Sequence, residues 1–240
     1  GLYLSSKLLI FSNDVKIVSG RDEIESIAGE EESDIVFIAI SGTQALLPLI
    51  SALSSGRTVV LASKEPIVSA GMLISSMLKQ GFGKIIPVDS EHSAIMQCLG
   101  SRRSEDISRV YITGSGGSLK DVAREDFDKL SIDDILRHPK WSMGKKITVD
   151  SATLMNKGLE AIEARWLFDI DPDKISIVMH PEAVVHSMVE FVDGTVTAGM
   201  FCPDMRFPIL KAMAYPDIFP SNFPKINFPE LGKLTFLKPD

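Results

Sequence analysis

The sequence predicts an α/β protein in two parts: a partial parallel sheet of the doubly wound kind, then an α+β domain with a mostly antiparallel sheet. Residues 34–88 carry short apolar runs separated by helix-length stretches, the pattern of strands buried on both faces and joined by crossovers. Beyond residue 89 the pattern changes. There Asp193-Gly194 joins two extended runs, the two-residue turn of an antiparallel hairpin.

Asp34-Ile-Val-Phe-Ile-Ala-Ile40 reads as the first buried strand, and a helix over about 43–54 closes at Gly56. Arg57-Thr-Val-Val-Leu-Ala62 is the next strand, which predicts parallel pairing through a right-handed crossover. A helix over about 67–80, a Gly81-Phe-Gly83 stop and the strand Lys84-Ile-Ile-Pro-Val88 complete a Rossmann-like part, 1–88. No GxGxxG fingerprint opens it. A short helix near 91–99 and a strand near 109–113 then lead to Gly114-Ser-Gly-Gly117. A loop-rich stretch reaches His138-Pro-Lys-Trp141, and one long helix is expected over 151–168, with Met155, Leu159, Ile162 and Trp166 as its core stripe. Strands near 175–180, 184–192 and 195–201 finish an α+β domain, 89–222, with helices on one face of its sheet. The Pro- and Phe-rich stretch 223–240 reads as a linker.

The 240 residues suffice for one large domain or two modest ones, and 45% hydrophobic with 24% charged residues is ordinary for a globular protein. A net charge of −7 argues against a nucleic-acid binder, while leaving room for one small phosphorylated ligand. Cys98 and Cys202 form no CxxC pair, which favours a reducing compartment. No apolar run approaches the roughly 18 residues of a membrane span. Gly1-Leu-Tyr-Leu4 lacks an initiator Met and no targeting pattern follows, so an N-terminus lying upstream, or removed, is expected.

Asp89-Ser90-Glu91 stands where a buried strand ends and a helix begins, the edge at which open α/β sheets bind ligands. Helix capping explains the same residues. Asn156, Glu160 and Glu163 share a face of the expected long helix; that face reads as solvated, and Glu163 is left there. If Asp89, Glu91 and Glu160 converged, a cation would be required. Two carboxylates about 4 Å apart repel by roughly 4 kcal/mol at an effective dielectric near 20. Oxygen ligands select a hard ion, Mg²⁺ or Mn²⁺. Ser151, Asn156 and Lys157 suit anion capture at a helix start, and the glycine run could set Ser115 against a phosphate or form only a tight turn. His138 could belong to a lid or an exposed loop; His92, His180 and His186 are read as structural.

Taken together, Leu61-Ala-Ser-Lys-Glu65, Pro87-Val-Asp-Ser-Glu-His92, Thr113-Gly-Ser-Gly-Gly117, His138-Pro-Lys-Trp-Ser-Met-Gly-Lys-Lys146, Asp150-Ser-Ala-Thr-Leu-Met-Asn-Lys-Gly-Leu-Glu160, His186-Ser-Met-Val-Glu-Phe-Val-Asp-Gly194 and Pro203-Asp-Met-Arg206 resemble the 1-deoxy-D-xylulose 5-phosphate reductoisomerase family, collinearly from about 34 to 216. The resemblance implies a metal-dependent ketol rearrangement followed by NADPH reduction, in isoprenoid-precursor synthesis. It implies that Asp89, Glu91 and Glu160 hold Mg²⁺ or Mn²⁺, and that Ser115, Ser151, Asn156 and Lys157 bind the substrate phosphate. It further implies that Lys64 and Ser90 touch the substrate, that His138 closes over it with Trp141, and that Ser63, Glu65 and Gly144 touch NADPH. Such enzymes form homodimers through the central sheet and work in a bacterial cytoplasm or a plastid.

This sequence departs from the family pattern in places. The glycine-rich turn that normally opens the family, and its C-terminal helical domain, are not in these 240 residues, so weak NADPH binding by this stretch is expected. Ser63 stands where the family usually has Asn, and Pro66 where it has Ser. Two rival readings follow: a noncatalytic metal- or phosphosugar-binding derivative of the fold, and a Rossmann-type dehydrogenase for another substrate. The second leaves the carboxylate and phosphate residues unexplained.

Overall fold

The computed structural model describes residues 16–30, 32–136 and 144–239, and the chain divides into two units between Ile85 and Ile86. The expected boundary was residue 88.

In the first unit, α1 (Arg21–Ala28) precedes β1 (Ile35–Ile38), and a 3-10 turn at Thr43–Ala45 runs into α2 (Leu46–Ser54). β2 (Thr58–Leu61), α3 (Glu65–Lys79) and β3 (Lys84–Pro87) follow, the unit boundary falling within β3. The sheet order is β1-β2-β3, with β1 and β2 parallel and Ile38 opposite Leu61. β2 is the central strand, and Val59, Val60 and Leu61 are buried, as a continuous apolar run requires. β1 lies at the sheet edge, so its run is less covered than expected: Phe37 is 40% exposed. Leu49 and Leu53 of α2 and Ile67 and Ile74 of α3 are buried. Pro66 sits in the first turn of α3, where its missing N–H costs no helical hydrogen bond. Gly83 has φ +62°, and a Cβ there would stand 2.6 Å from the Arg57 carbonyl oxygen, so only glycine lets the chain return to β3.

The second unit begins with α4 (Ser90–Leu99), followed by β4 (Ile107–Gly114), α5 (Ile132–Ile135), α6 (Lys145–Ala152) and α7 (Met155–Leu167). β5 (Ile175–Met179), β6 (Val185–Phe191), β7 (Val196–Met200), α8 (Arg206–Ala214) and α9 (Phe228–Leu231) complete it. Its sheet has the order β5-β4-β6-β7; β4 runs parallel to β5 and antiparallel to β6, and β6 and β7 form the expected hairpin across Asp193-Gly194. Ile95, Cys98 and Leu99 of α4 pack with Val110 and Ile112 of β4, Val189 and Phe191 of β6, and Ala164 of α7. Burying each large aliphatic side chain contributes roughly 1.5–3 kcal/mol. Gly199 of β7 admits α4 closely: a Cβ there would lie 2.5 Å from that of Ala94.

Two expectations need correction. The long helix of 151–168 is two helices, broken at Thr153, whose backbone is extended (φ −120°, ψ −166°). The Thr153 hydroxyl accepts from the Met155 N–H at 3.2 Å, and such local capping competes with helix continuation. Ser151 therefore lies in the last turn of α6 and does not begin a helix. The faces of α7 are also exchanged. Met155 is 59% and Ile162 41% exposed, while Asn156, Glu160 and Glu163 are buried. Polar side chains take the inward face because they bond one another and α4 there.

The segment expected as a linker is attached to the second unit near its end. Met179 and Leu237 exchange N–H···O bonds at 2.9 Å each, and Phe236 stacks on His180 at 4.9 Å. Thr235 donates its N–H to Glu182 and accepts from His180 Nδ1.

Candidate functional site

Two helix starts in the second unit supply the site. Asp89 caps α4, its carboxylate accepting the Glu91 N–H at 3.1 Å, and Glu91 stands in the first turn of that helix. The first turns of α7 carry Asn156, Lys157 and, one turn on, Glu160. Carboxylate oxygens of Asp89, Glu91 and Glu160 lie within 4.8 Å of one another. Ser90 Oγ donates to Glu91 Oε2 at 2.6 Å, and Asn156 Nδ2 to Glu160 Oε1 at 2.5 Å. Lys157 Nζ bridges the two helices, 2.9 Å from Glu91 Oε1 and 2.7 Å from Glu160 Oε2.

So much buried negative charge raises proton affinities. Burial pushes the Glu91 carboxyl up to about 7, the Glu160 charge adds to this, and Lys157 opposes it. Burial works against the Lys157 ammonium, but Glu160, Glu91 and Asp89 outweigh it and hold the lysine charged.

Beneath the three carboxylates sits His92, fully buried. Its Nε2 is 2.9 Å from the Glu160 carbonyl oxygen, which only accepts, so Nε2 donates. Its Nδ1 faces Asp89 Oδ1 at 3.1 Å and Glu163 Oε2 at 3.5 Å. Acceptors at both nitrogens call for an imidazolium. Burial disfavours that charge, yet Glu163 and Asp89 prevail and raise the ring to about 9. Asp89, Glu91, Glu160 and Glu163 thus face Lys157 and His92, four carboxylates against two cations. Fully ionised, these six groups sum to two negative charges, the amount that one divalent cation carries with opposite sign. Asp89, His92 and Glu163 also lie close enough to share an ion. An ion there would have to displace the proton that His92 holds, so the all-oxygen trio fits a hard dication better.

The residues expected to take an anion adjoin this trio. A Cβ on Gly114, at the end of β4, would lie 3.5 Å from Lys157 Cε, and one on Gly117 would overlap the Ser151 carbonyl and Ala152. The glycine run is therefore pressed against the junction of α6 and α7, which brings the segment holding Ser115 beside Ser151, Asn156 and Lys157. The dipole of α7 adds positive potential at its start, in the same place. Gly144 begins α6, its carbonyl accepting from Thr148 N at 3.1 Å.

Ser63, Lys64 and Glu65 lie in the first unit at the turn from β2 into α3. Ser63 and Lys64 are buried, and the Ser63 hydroxyl donates to the Ile40 carbonyl, tying that turn to the end of β1. His138 and Trp141 lie outside the described residues. Sequence reasoning set aside His92 as structural and Glu163 as solvated. The available signal was spacing: Asp89 and His92 are three apart on α4, as Glu160 and Glu163 are on α7, so each pair shares a face. His186 is buried and neutral, burial pushing it down to about 4, and it stacks on Phe201 at 3.8 Å.

Comparisons with known proteins agree among themselves. The family model described as 1-deoxy-D-xylulose 5-phosphate reductoisomerase matches residues 3–71, and that for the C-terminal domain of the same enzyme matches 85–168. A Pelotomaculum thermopropionicum protein named 1-deoxy-D-xylulose 5-phosphate reductoisomerase is 48% identical over 221 residues, 92% of this chain and 57% of its own length. A Bacillus anthracis protein, 1-deoxy-D-xylulose 5-phosphate reductoisomerase 1, is 46% identical over 95% of this chain and 60% of its own. A crystal structure described as DOX-P reductoisomerase with NADPH, fosmidomycin and magnesium superimposes with TM-score 0.89 at 40% identity, covering 100% of this chain and 61% of that one. The Zymomonas mobilis reductoisomerase with NADPH gives 0.88 at 36% identity, covering 100% and 62%. The chain thus spans about three fifths of the length of the relatives it matches, 57% to 62%. Among the described residues no helix is long and apolar enough to cross a membrane.

Proposed function

The chain belongs to the 1-deoxy-D-xylulose 5-phosphate reductoisomerase family, and from that premise we propose that it serves the rearrangement of 1-deoxy-D-xylulose 5-phosphate and its reduction by NADPH to 2-C-methyl-D-erythritol 4-phosphate. The observation that carries this reading is the convergence of the Asp89, Glu91 and Glu160 carboxylates within 4.8 Å of one another.

A bound Mg²⁺ or Mn²⁺ would supply Lewis acidity toward the ketone and neighbouring hydroxyl oxygens. Asp89, Glu91 and Glu160 are the residues to hold it. Ser90, beside Glu91, and Lys64 are read as substrate contacts, Lys64 supporting the oxygens on which negative charge builds. Lys157, Asn156, Ser151 and Ser115 take the phosphate. Lys157 serves twice in this assignment, its ammonium already lying between two ligand carboxylates. NADPH supplies the hydride. Ser63, Glu65 and Gly144 are assigned to its binding, and His138 with Trp141 to covering the substrate and excluding water. A homodimer through the sheet of the second unit, in a bacterial cytoplasm or a plastid, completes the reading.

The test is NADPH oxidation on adding 1-deoxy-D-xylulose 5-phosphate and Mn²⁺, at saturating cofactor, by the chain and by its Asp89→Asn variant. Turnover that falls at least a hundredfold in the variant is expected. Equal turnover by both would remove Asp89 from the metal site, and none from either would count against this activity for the chain.

A further inference from the structure

His92, like Lys157, touches both helices that carry the proposed metal ligands at their ligand residues. It grows from α4, one residue after Glu91; its Nε2 donates to the main chain of Glu160 on α7 at 2.9 Å, and its Nδ1 faces Asp89 at 3.1 Å. The ring thereby ties α4 to the main chain of α7 and stands against the Asp89 carboxylate. Glu163, one turn beyond Glu160 and 1% exposed, lies 3.5 Å from the same Nδ1. A carboxylate is not placed in a core without reason: burying one costs several kcal/mol unless a partner recovers it. The His92 ring also stacks on Phe168, with ring centroids 6.2 Å apart.

We propose that Glu163 is a positioning residue of the metal site: through His92 it fixes Asp89 and the Glu160 main chain in the arrangement that receives the cation. This rests on the assignment of Asp89, Glu91 and Glu160 as ligands. The arrangement has the logic of a histidine that holds metal ligands in place, here from behind carboxylates and not as a ligand itself. Groups of this kind alter metal affinity about 10–100-fold when changed, though they never touch the ion. Glu163→Gln keeps the volume and one accepting oxygen but offers His92 no charge. The ring then loses its second anchor and turns further toward Asp89, whose carboxylate becomes a partner of the imidazole at the expense of the cation.

The experiment measures Mn²⁺ affinity by electron paramagnetic resonance of the free ion, on the whole chain without substrate or NADPH. The forms compared are the unaltered chain, Glu163→Gln, His92→Gln, both together, and Asp89→Asn. The expected result is a dissociation constant raised at least tenfold by Glu163→Gln, with the double variant no weaker than His92→Gln alone, because both act along one path. Melting of each metal-free form shows that it is folded. Should Glu163→Gln fail to fold, Glu163→Asp keeps the charge but draws it back, and the same loss is expected from it in smaller measure. Unchanged affinity in a folded Glu163 variant, with Asp89→Asn still abolishing binding, overturns the positioning role and leaves the ligand assignment standing. So does a loss in the double variant equal to the product of the single losses. If the unaltered chain binds no Mn²⁺, or Asp89→Asn binds it undiminished, the ligand assignment fails and the inference falls with it.

Discussion

Glu91 is where the chemistry of single residues becomes measurable. Burial and the neighbouring Glu160 raise its carboxyl to about 7, so at mildly acidic pH it is largely protonated in the metal-free fold. A ligand carboxylate must be ionised, and cation binding should therefore expel this proton. The sign follows: affinity for Mn²⁺ is level above about pH 7 and falls about tenfold per unit below it. Calorimetry at pH 6 in two buffers of different ionisation heat should show about one proton released per ion; no release would remove Glu91 from the ligand set. Stability takes the complementary course. The folded value lies above the unfolded one, so the contribution of Glu91 is fully present below about 4.5 and lost as pH rises to about 7. A dication returns what is lost. None of this could be read from Asp89-Ser90-Glu91 as a string, because the same residues cap any helix, and Asp89 does cap this one.

At the scale of elements, the join between α6 and α7 decides how anion and metal residues meet, and two glycines probe it with opposite signs. Gly117 is pressed against Ser151 and Ala152, so Gly117→Ala should separate the glycine run from that join, costing about 1–3 kcal/mol. Gly158, inside α7, has open space where a Cβ would go, and Gly158→Ala should stabilise by about 0.5–1 kcal/mol. Denaturant unfolding of both variants checks the pair, and a shared sign would refute the packing described. The break that creates this join was not legible. Periodicity over residues 151–168 runs on without interruption, and only the bond from Met155 N to the Thr153 hydroxyl shows where the helix stops. The inverted faces of α7 were hidden for a related reason. Hydrophobic periodicity assumes that apolar residues go inward, whereas Glu160 and Glu163 are drawn in by the main-chain and side-chain contacts they make with His92 on α4, and Lys157 of α7 reaches across to Glu91 on the same helix.

At the scale of the whole molecule, the strands were legible because each buried run is short, apolar and bounded by Gly or by polar residues, as in Thr58–Leu61 and Lys84–Pro87. The parallel pairing of β4 with β5 was less so, since the two are more than sixty residues apart and nothing local joins Val110 to Ile175. The division at Ile85/Ile86 also separates the chemistry. Every proposed metal and phosphate residue belongs to the second unit, whereas Ser63, Lys64 and Glu65 belong to the first. Metal binding and nucleotide binding should accordingly respond differently in this chain. The carboxylate cluster has supports within the second unit, Lys157 and His92. Dinucleotides are anchored mainly by a glycine-rich turn that lets a helix start reach the pyrophosphate, and none of the 240 residues forms that fingerprint. We therefore expect calorimetry on the chain to give Mn²⁺ binding together with NADPH binding weaker than about 100 μM, roughly 5.5 kcal/mol. A low-micromolar constant for NADPH would mean that the β2–α3 turn holds the cofactor without a pyrophosphate cradle, and Ser63 and Glu65 would then be the residues to alter first.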